Sequence, residues 1–440
     1  MLGRWDTHPL TDLTGLFVAW KAFLLAIAAG TSVGPRYDTS GSLLDLGRHG
    51  APALPLLVQR LMSWDAFYFV QTARRGYLFE QEWAFGTGLP ILINSIQKGL
   101  GFFGLGRDAV DAAVVAVAVA NLSHLLAVLA LYRLAKVLTR GDRKLAFVAA
   151  CLHVLSPAGV FLCAPYAEST FALLTFAGYL AFCAGVLSGS CAARAALTVA
   201  SGALFGLATA FRSNGVLNGV LFAVFALDAA GRLVRKRPSS RSLPALVDLA
   251  ALGLGGVLVA AGTVAPQYVA YRRFCVQGAA SSALGAREWC GHRVPSIYHF
   301  VQEYYWDNGF LRYWKTSNIP LFVMAGPTVL VLLRSGVVTL SQPRAAEGGR
   351  PPREAQQLLD VLWCMAASQV ALAVLAVLNH HVQIVARISS GLPLWYLWLA
   401  RRVLLEAKAG RPAAANNMVM FMLMYAPIQA ALFGAFLPPA

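Results

Sequence analysis

The sequence predicts an all-α protein that crosses a membrane many times. Two compositional facts and one pattern carry this. Of 440 residues, 58% are hydrophobic and 13% charged, about half the charged fraction of a soluble domain. Mean hydropathy is +0.60. The pattern is a succession of apolar runs near the ~20 residues that a bilayer asks of a helix. Helices are required because lipid offers no partner to a free backbone amide.

The first run, 10–30, has no clear small-residue cleavage site, so it reads as a retained first span rather than a signal peptide. Further runs fall at 110–131, 145–163, 169–188, 195–211, 214–230, 245–269, 318–333, 358–379, 384–400 and 416–437, giving about eleven spans. No internal repeat is visible, and residues 1–440 read as one membrane domain. Two long connections interrupt the succession, 31–109 and 270–317. Within the first, residues 86–106 are apolar but broken by Gly and Pro, which predicts a re-entrant or interfacial segment. Asn121-Leu122-Ser123 is formally a glycosylation sequon, but it lies inside a span.

The net charge of +16 first suggests a nucleic-acid partner. Its placement excludes that. Basic clusters near 133–144, at 194, near 232–241, near 334–353 and near 401–411 hold more than half of the 36 lysines and arginines, all in every second connection. The positive-inside rule assigns these connections to the cytoplasm. The N-terminus then starts there, and both long loops and the C-terminus lie on the opposite face.

That opposite face collects different chemistry. Three short turns deliver Tyr166 and Glu168, then Arg212 and Asn214, then His380, His381, Gln383 and Arg387. Ionisable groups at membrane depth are costly and usually functional. Any one of them could be a helix cap or a satisfied interhelical hydrogen bond. Five segments converging on one face read as a site.

The first long loop contributes "MSWDAFYFVQTARRGYLFE" at 62–80. Here Ser63 can cap a helix, and Asp65 in its first turn suits the helix dipole. Alternatively, Asp65 sits where a lipid headgroup would be presented and acts as a general base on a hydroxyl. Trp64, Phe67, Tyr68 and Phe69 favour the interface. The second loop mixes His299, Gln302, Glu303, Trp306, Asp307 and Asn308 with aromatic residues, as a sugar site would. The chain holds no DxD; the nearest pair is Asp108 and Asp111. A metal-held sugar nucleotide is therefore not indicated, whereas a lipid monophosphate needs only cations. Arg74, Arg75, Arg212 and Arg387 are the candidates, since guanidinium matches phosphate oxygens. Residue identity alone does not rank Asp65 against Glu168, Glu303 and Asp307. The seven cysteines show no metal spacing. Cys275 and Cys290 flank one polar loop, and a disulfide there implies an oxidising compartment.

Residues 62–90 resemble the first luminal loop of the second mannosyltransferase family of GPI-anchor assembly. "APYAESTFALLTFAG" (164–178), "FRSNG" (211–215), "VQEYYWDNGFLRYWKTSNIPLFVMAGP" (301–327), "HVQIVARISSGLPLWY" (381–396) and the pair Phe274-Cys275 and Trp289-Cys290 match further blocks in the same order. The resemblance implies a GT-C glycosyltransferase fold in the endoplasmic reticulum membrane. It implies dolichyl phosphate mannose as donor, a mono-mannosylated GPI precursor lipid as acceptor, and an α-1,6 product. It implies Asp65 as catalytic base of an inverting single displacement, with no cofactor and no metal. Substrate contacts then fall to Trp64, Arg74, Arg75, Tyr166, Glu168, Arg212, Asn214, Gln302, Trp306, Asp307, His381, Gln383 and Arg387. Membrane lipids surround the protein, and a small accessory membrane subunit is a further candidate partner. A transporter would place its polar groups near the bilayer midplane, often with repeats. A non-catalytic assembly subunit would tolerate loss of Asp65.

Overall fold

The computed structural model describes residues 7–38, 54–104, 110–235, 242–277, 287–342, 352–410 and 414–438, and these residues form helices and turns only. The helices are α1 (Pro9–Gly30), α2 (Leu56–Leu61), α3 (Ala66–Arg75), α4 (Gly88–Phe102), α5 (Ala112–Leu138), α6 (Arg143–Val154), α7 (Glu168–Val186) and α8 (Cys191–Phe211). They continue as α9 (Gly219–Arg235), α10 (Ser242–Tyr271), α11 (Ile297–Phe300), α12 (Ile319–Leu340), α13 (Arg353–Asn379), α14 (Val385–Ile388), α15 (Pro393–Lys408) and α16 (Ala414–Gly434).

Among the described residues, nine helices are long and apolar enough to cross a membrane. The protein is a multi-pass, all-α membrane protein. Two of the expected runs resolve differently. The 145–163 run becomes the 12-residue α6 followed by a 3-10 turn, Gly159–Leu162. Pro157 causes the break, because proline lacks an N–H and disfavours helical backbone in the residue before it. The 384–400 run splits into α14, a 3-10 turn and the 16-residue α15, which starts at Pro393. Asn121 lies inside α5, where its amide donates to the carbonyls of Val117 (2.8 Å) and Cys163 (3.1 Å).

The bundle is built around α8, which packs against α7 on one side and α10 on the other. Glycines make the α8–α10 approach possible. A Cβ on Gly202 would collide with Gly255, and one on Gly206 or Gly262 would enter the facing backbone. Small residues let helices dock closely where lipid supplies no hydrophobic drive between them.

The described part of the 86–106 segment forms a turn and then α4, whose 15 residues are fewer than a bilayer span needs. The turn before α4 is fixed by Gly86, at φ +82°, which lies against the carbonyls of Ala210 and Phe211 at the end of α8. Thr87 N donates to Ala210 O (2.9 Å), and Tyr77 Oη donates to Gly86 O (2.7 Å). The first long loop is thereby registered on the helix end that carries Arg212.

The second long loop packs on the first. Trp289, Ile297 and Val301 share a small core with Trp83. Buried Glu80 links the loops by accepting from Trp289 Nε1 (2.9 Å) and Tyr305 Oη (3.3 Å). Cys275 and Cys290 form a disulfide with Cα atoms 5.6 Å apart. It holds Trp289 in that core. A Cys275→Ser variant should lose about 3 kcal/mol, the chain-entropy value for a loop of this length. Non-reducing peptide mapping that recovered both thiols free would remove the basis for that figure.

The basic clusters near 236–241 and 344–350 and the loop tip near Ser282 lie outside the described residues. Epitope tags after Arg237 and near Arg350 should be cytosolic, and one near Ser282 should be protected. A tag near Ser282 that protease reaches from the cytosol would reverse the orientation.

Candidate active site

Asp65 follows an unusual turn. Trp64 has φ 57°, a left-handed backbone uncommon for any residue but glycine. Neighbours hold it there. Trp64 Nε1 donates to Leu437 O (3.2 Å), and its ring lies 5.4 Å from that of Phe436. Arg36 donates to Ser63 Oγ (2.9 Å) and Met62 O (3.3 Å). Asp65 occupies the N-cap position of α3 but makes no cap hydrogen bond. Ser63 does not cap either; its hydroxyl donates to Arg60 O (3.5 Å). Neither side chain caps α3 by a hydrogen bond, though Asp65 keeps its place at the positive end of that helix.

Instead, Asp65 Oδ2 faces Arg387 Nη1 at 3.1 Å. Arg387 Nε donates to Glu168 Oε1 (2.8 Å), and the same oxygen pairs with Arg212 Nη1 (2.7 Å). Asp65, Arg387, Glu168 and Arg212 thus form one ribbon of alternating charge with no net charge. Such pairing offsets much of the cost of burying ions. The Glu168 side chain is fully buried, whereas Asp65, at 30% exposure, is the most open of the four.

Local structure puts each group in place. The turn after Pro165 starts α7 with Glu168 in its first turn, where an anion suits the helix dipole. Arg212 follows the last residue of α8, where a cation suits it. Arg387 lies on α14 with its guanidinium over the rings of Phe161 (4.6 Å) and Tyr166 (4.7 Å). Burial works against its charge, but Glu168 and Asp65 outweigh burial and hold it above the ordinary arginine range. Burial, reinforced by Asp65, pushes the Tyr166 phenol well up, so it stays protonated. Its hydroxyl donates to Ser63 O (3.3 Å) and braces the Asp65 turn.

Asp65 lines an open cleft of about 570 Å³ with Trp64, Tyr68, Gln71, Arg75 and Phe79. That is the size of a small-ligand site. Tyr68 stacks on Phe85 (4.9 Å), which meets Trp306 (5.1 Å). Aromatic faces, amides and a carboxylate together can grip a sugar and receive a proton. Among the described residues, no three His, Cys, Asp or Glu side chains converge as a metal site.

Residues 52–440 match the sequence family described as Mannosyltransferase (PIG-V). The chain belongs to this family. It is 46% identical over 470 aligned positions to GPI mannosyltransferase 2 of Chaetomium globosum, covering 99% of this chain and 97% of that protein. It is 45% identical to the protein of the same description in Gibberella zeae, covering 99% of each chain. Among solved structures it is similar to the Archaeoglobus fulgidus oligosaccharyltransferase, with a TM-score of 0.41 and 16% identity. That similarity covers 93% of this chain and about half of the other, 53%. The protein is a membrane mannosyltransferase.

The mannosyltransferase places its other expected residues unevenly. Asp65, Tyr166, Glu168, Arg212 and Arg387 come together, and Trp64 and Arg75 line the cleft that Asp65 reaches. Arg75 also pairs with buried Glu82 (2.5 Å). Arg74 does not line that cleft; it points to Asp111 (2.6 Å) and ties α3 to the start of α5. His381 Nε2 donates to Trp306 O (2.9 Å), and its ring stacks on Tyr313 (4.6 Å), whose hydroxyl donates to Gln383 Oε1 (2.8 Å). Gln302 accepts from Asn308 (2.5 Å). These contacts support the wall that holds Trp306. Asp307 is exposed and paired with Lys315 (2.9 Å), which holds its carboxyl below the usual range. Asn214 lines a separate cavity.

Sequence reading did not single out Arg36, Gln71, Glu80, Glu82 or Lys21. Lys21, in the middle of the first apolar run, carried the clearest signal, because a charge at the centre of a span marks a special contact. It is buried and donates to Leu162 O (2.7 Å) and Cys163 Sγ (3.1 Å). Those bonds fix the turn whose Phe161 ring supports Arg387.

Proposed function

We propose that this mannosyltransferase transfers mannose from dolichyl phosphate mannose to a mono-mannosylated GPI precursor lipid, forming an α-1,6 bond on the luminal face of the endoplasmic reticulum membrane. The observation that carries the reading is Asp65. It is a cleft carboxylate that makes no helix-cap hydrogen bond and stands beside a guanidinium, in a family of mannosyltransferases. The descriptions of the relatives as GPI mannosyltransferase 2 support the acceptor class. A relative in Cricetulus griseus, 34% identical over 63% of this chain, is described as GPI alpha-1,6-mannosyltransferase 2, which supports the linkage.

In this reading Asp65 accepts the proton of the acceptor hydroxyl as its oxygen attacks the donor anomeric carbon. The bond from that carbon to phosphate oxygen breaks in the same displacement. The configuration inverts, no covalent enzyme intermediate forms, and dolichyl phosphate leaves. Arg75 lines the cleft and Arg387 stands beside Asp65, so the departing phosphate finds guanidinium partners without a metal. Trp64, Tyr68 and Phe79 on the cleft wall offer C–H stacking to the transferred sugar.

The test is direct. Purified protein in liposomes receives dolichyl phosphate mannose and a synthetic mono-mannosyl GPI lipid. The expected product carries one further mannose that a linkage-specific α-1,6-mannosidase removes. Transfer from GDP-mannose but not from the lipid donor would replace this reading with a sugar-nucleotide enzyme.

A further inference from the structure

The turn that carries Asp65 meets a second unusual turn. Among the described residues, five other than glycine have a positive φ, and two of them, Trp64 (57°) and Phe436 (63°), pack ring to ring. Left-handed backbone is unfavourable for a bulky side chain and persists only where the surroundings enforce it. The neighbours of this pair therefore decide how Asp65, one residue on from Trp64, is aimed.

Arg36, in the connection after α1, reaches both turns. Its guanidinium donates to Met62 O and Ser63 Oγ, and it lies over the Phe436 ring at 5.2 Å. The backbone beside it is fastened too, because Tyr37 N donates to Ala435 O (3.0 Å). Gly434 lets the end of α16 come down on the end of α1. A Cβ there would lie 2.8 Å from Thr31 Oγ1 and 2.9 Å from Ala28 O. The same end of α16 reaches the other half of the charge pair. Phe433 is fully buried and meets the rings of Phe161 (5.5 Å) and Tyr166 (5.9 Å), over which the Arg387 guanidinium lies.

Residues 433–437 thus bear on Asp65 through Trp64 and on Arg387 through two rings. Arg36 ties this segment to the Asp65 turn without lining the cleft itself. Were Trp64 to relax to the commoner right-handed backbone, the peptide leading into Asp65 would rotate and carry the carboxylate with it. A misplacement of about 1 Å at a reacting group can cost on the order of 100-fold in rate. We propose that Arg36 is a positioning residue of this enzyme. Together with the 433–437 turn it clamps Trp64 in left-handed backbone and so aims Asp65 at the acceptor hydroxyl. The inference rests on Asp65 being the general base of the reaction given above.

The experiment uses the full-length protein in liposomes with the same two lipid substrates. Arg36→Ala should lower kcat at least about tenfold, with both KM values within about twofold. Arg36→Lys keeps a donor within reach of the turn and should recover part of that loss. In the Asp65→Asn background, Arg36→Ala should change the residual turnover less than about twofold, because a residue that acts through the base has nothing left to aim. Losses that multiply in the double variant would mark an ordinary structural contact and overturn the proposal. Unchanged kcat in Arg36→Ala, or a raised KM alone, would overturn it as well. Hydrogen exchange reads the clamp without activity. Amides of residues 64–68 should exchange at least about fivefold faster in Arg36→Ala than in the parent protein, and equal exchange would end the proposal even if the parent transferred no mannose between these lipids. Asp65→Asn with normal turnover would overturn the base assignment and this inference together. A large loss in Asp65→Asn beside an unaffected Arg36→Ala would overturn this inference alone.

Discussion

Asp65→Asn is expected to lower turnover about 100- to 10,000-fold, the usual worth of acid–base catalysis, with the folded protein intact. The amide keeps the shape of the carboxylate and its place beside Arg387 but cannot take a proton from an acceptor hydroxyl. Stability should change little. Asp65 is the most exposed member of the charge ribbon, and Arg387 keeps Glu168 at 2.8 Å. Partly exposed pairs are worth at most about 1 kcal/mol. The measurement is kcat of purified variant with a thermal melt alongside. A well-folded variant retaining more than about a tenth of normal turnover would end the general-base assignment.

Glu168→Gln should have its largest effect on stability. One oxygen of this fully buried carboxylate neutralises both Arg212 and Arg387. Removing one partner of a buried pair typically costs about 3–5 kcal/mol, because the remaining charges stay buried and uncompensated. The variant should melt far below the parent protein. Adding Arg212→Gln restores the balance of charge in the ribbon and should recover part of the loss. Side chains that share a contact couple non-additively, so the double variant should be more stable than the sum of its singles predicts. A simple sum, or a single variant that melts with the parent, would show that the ribbon is not one unit.

Much of the fold was legible because lipid enforces it. Nine of the expected runs became helices of spanning length, since a chain in hydrocarbon has few ways to satisfy its backbone. The two that did not, α6 and α15, were shortened where Pro157 and Pro393 interrupt apolar composition. Hydropathy reads the composition and passes over the break. The site was legible at the level of face and less so at the level of pairs. Asp65, Glu168, Arg212 and Arg387 are polar residues at the ends of apolar runs, and that pattern marks them. Which of them touch depends on contacts hundreds of residues apart, such as Asp65 to Arg387, which no local pattern encodes. Arg74 and Arg75 looked equivalent in sequence, but one helical step separates a tie to Asp111 from a place on the cleft wall. Gly86 was legible as a turn. Its contact with the end of α8 was not, because it depends on the neighbour's carbonyls rather than on its own segment.

Lys21 bears on how the protein is made. Its acceptor, Leu162 O, lies 141 residues further along the chain. At roughly 5–20 residues per second of synthesis, α1 emerges on the order of ten seconds before the turn that satisfies its lysine. During that interval a charged group that costs about 2.5–3.5 kcal/mol at the centre of an inserted helix has no partner in the growing chain. The apolar residues of α1 offset a penalty of that size, so the helix can insert early, but its lysine finds the partner seen in the fold only when the turn after α6 arrives. The last contact of the first span and the turn that supports the active site are thus made together.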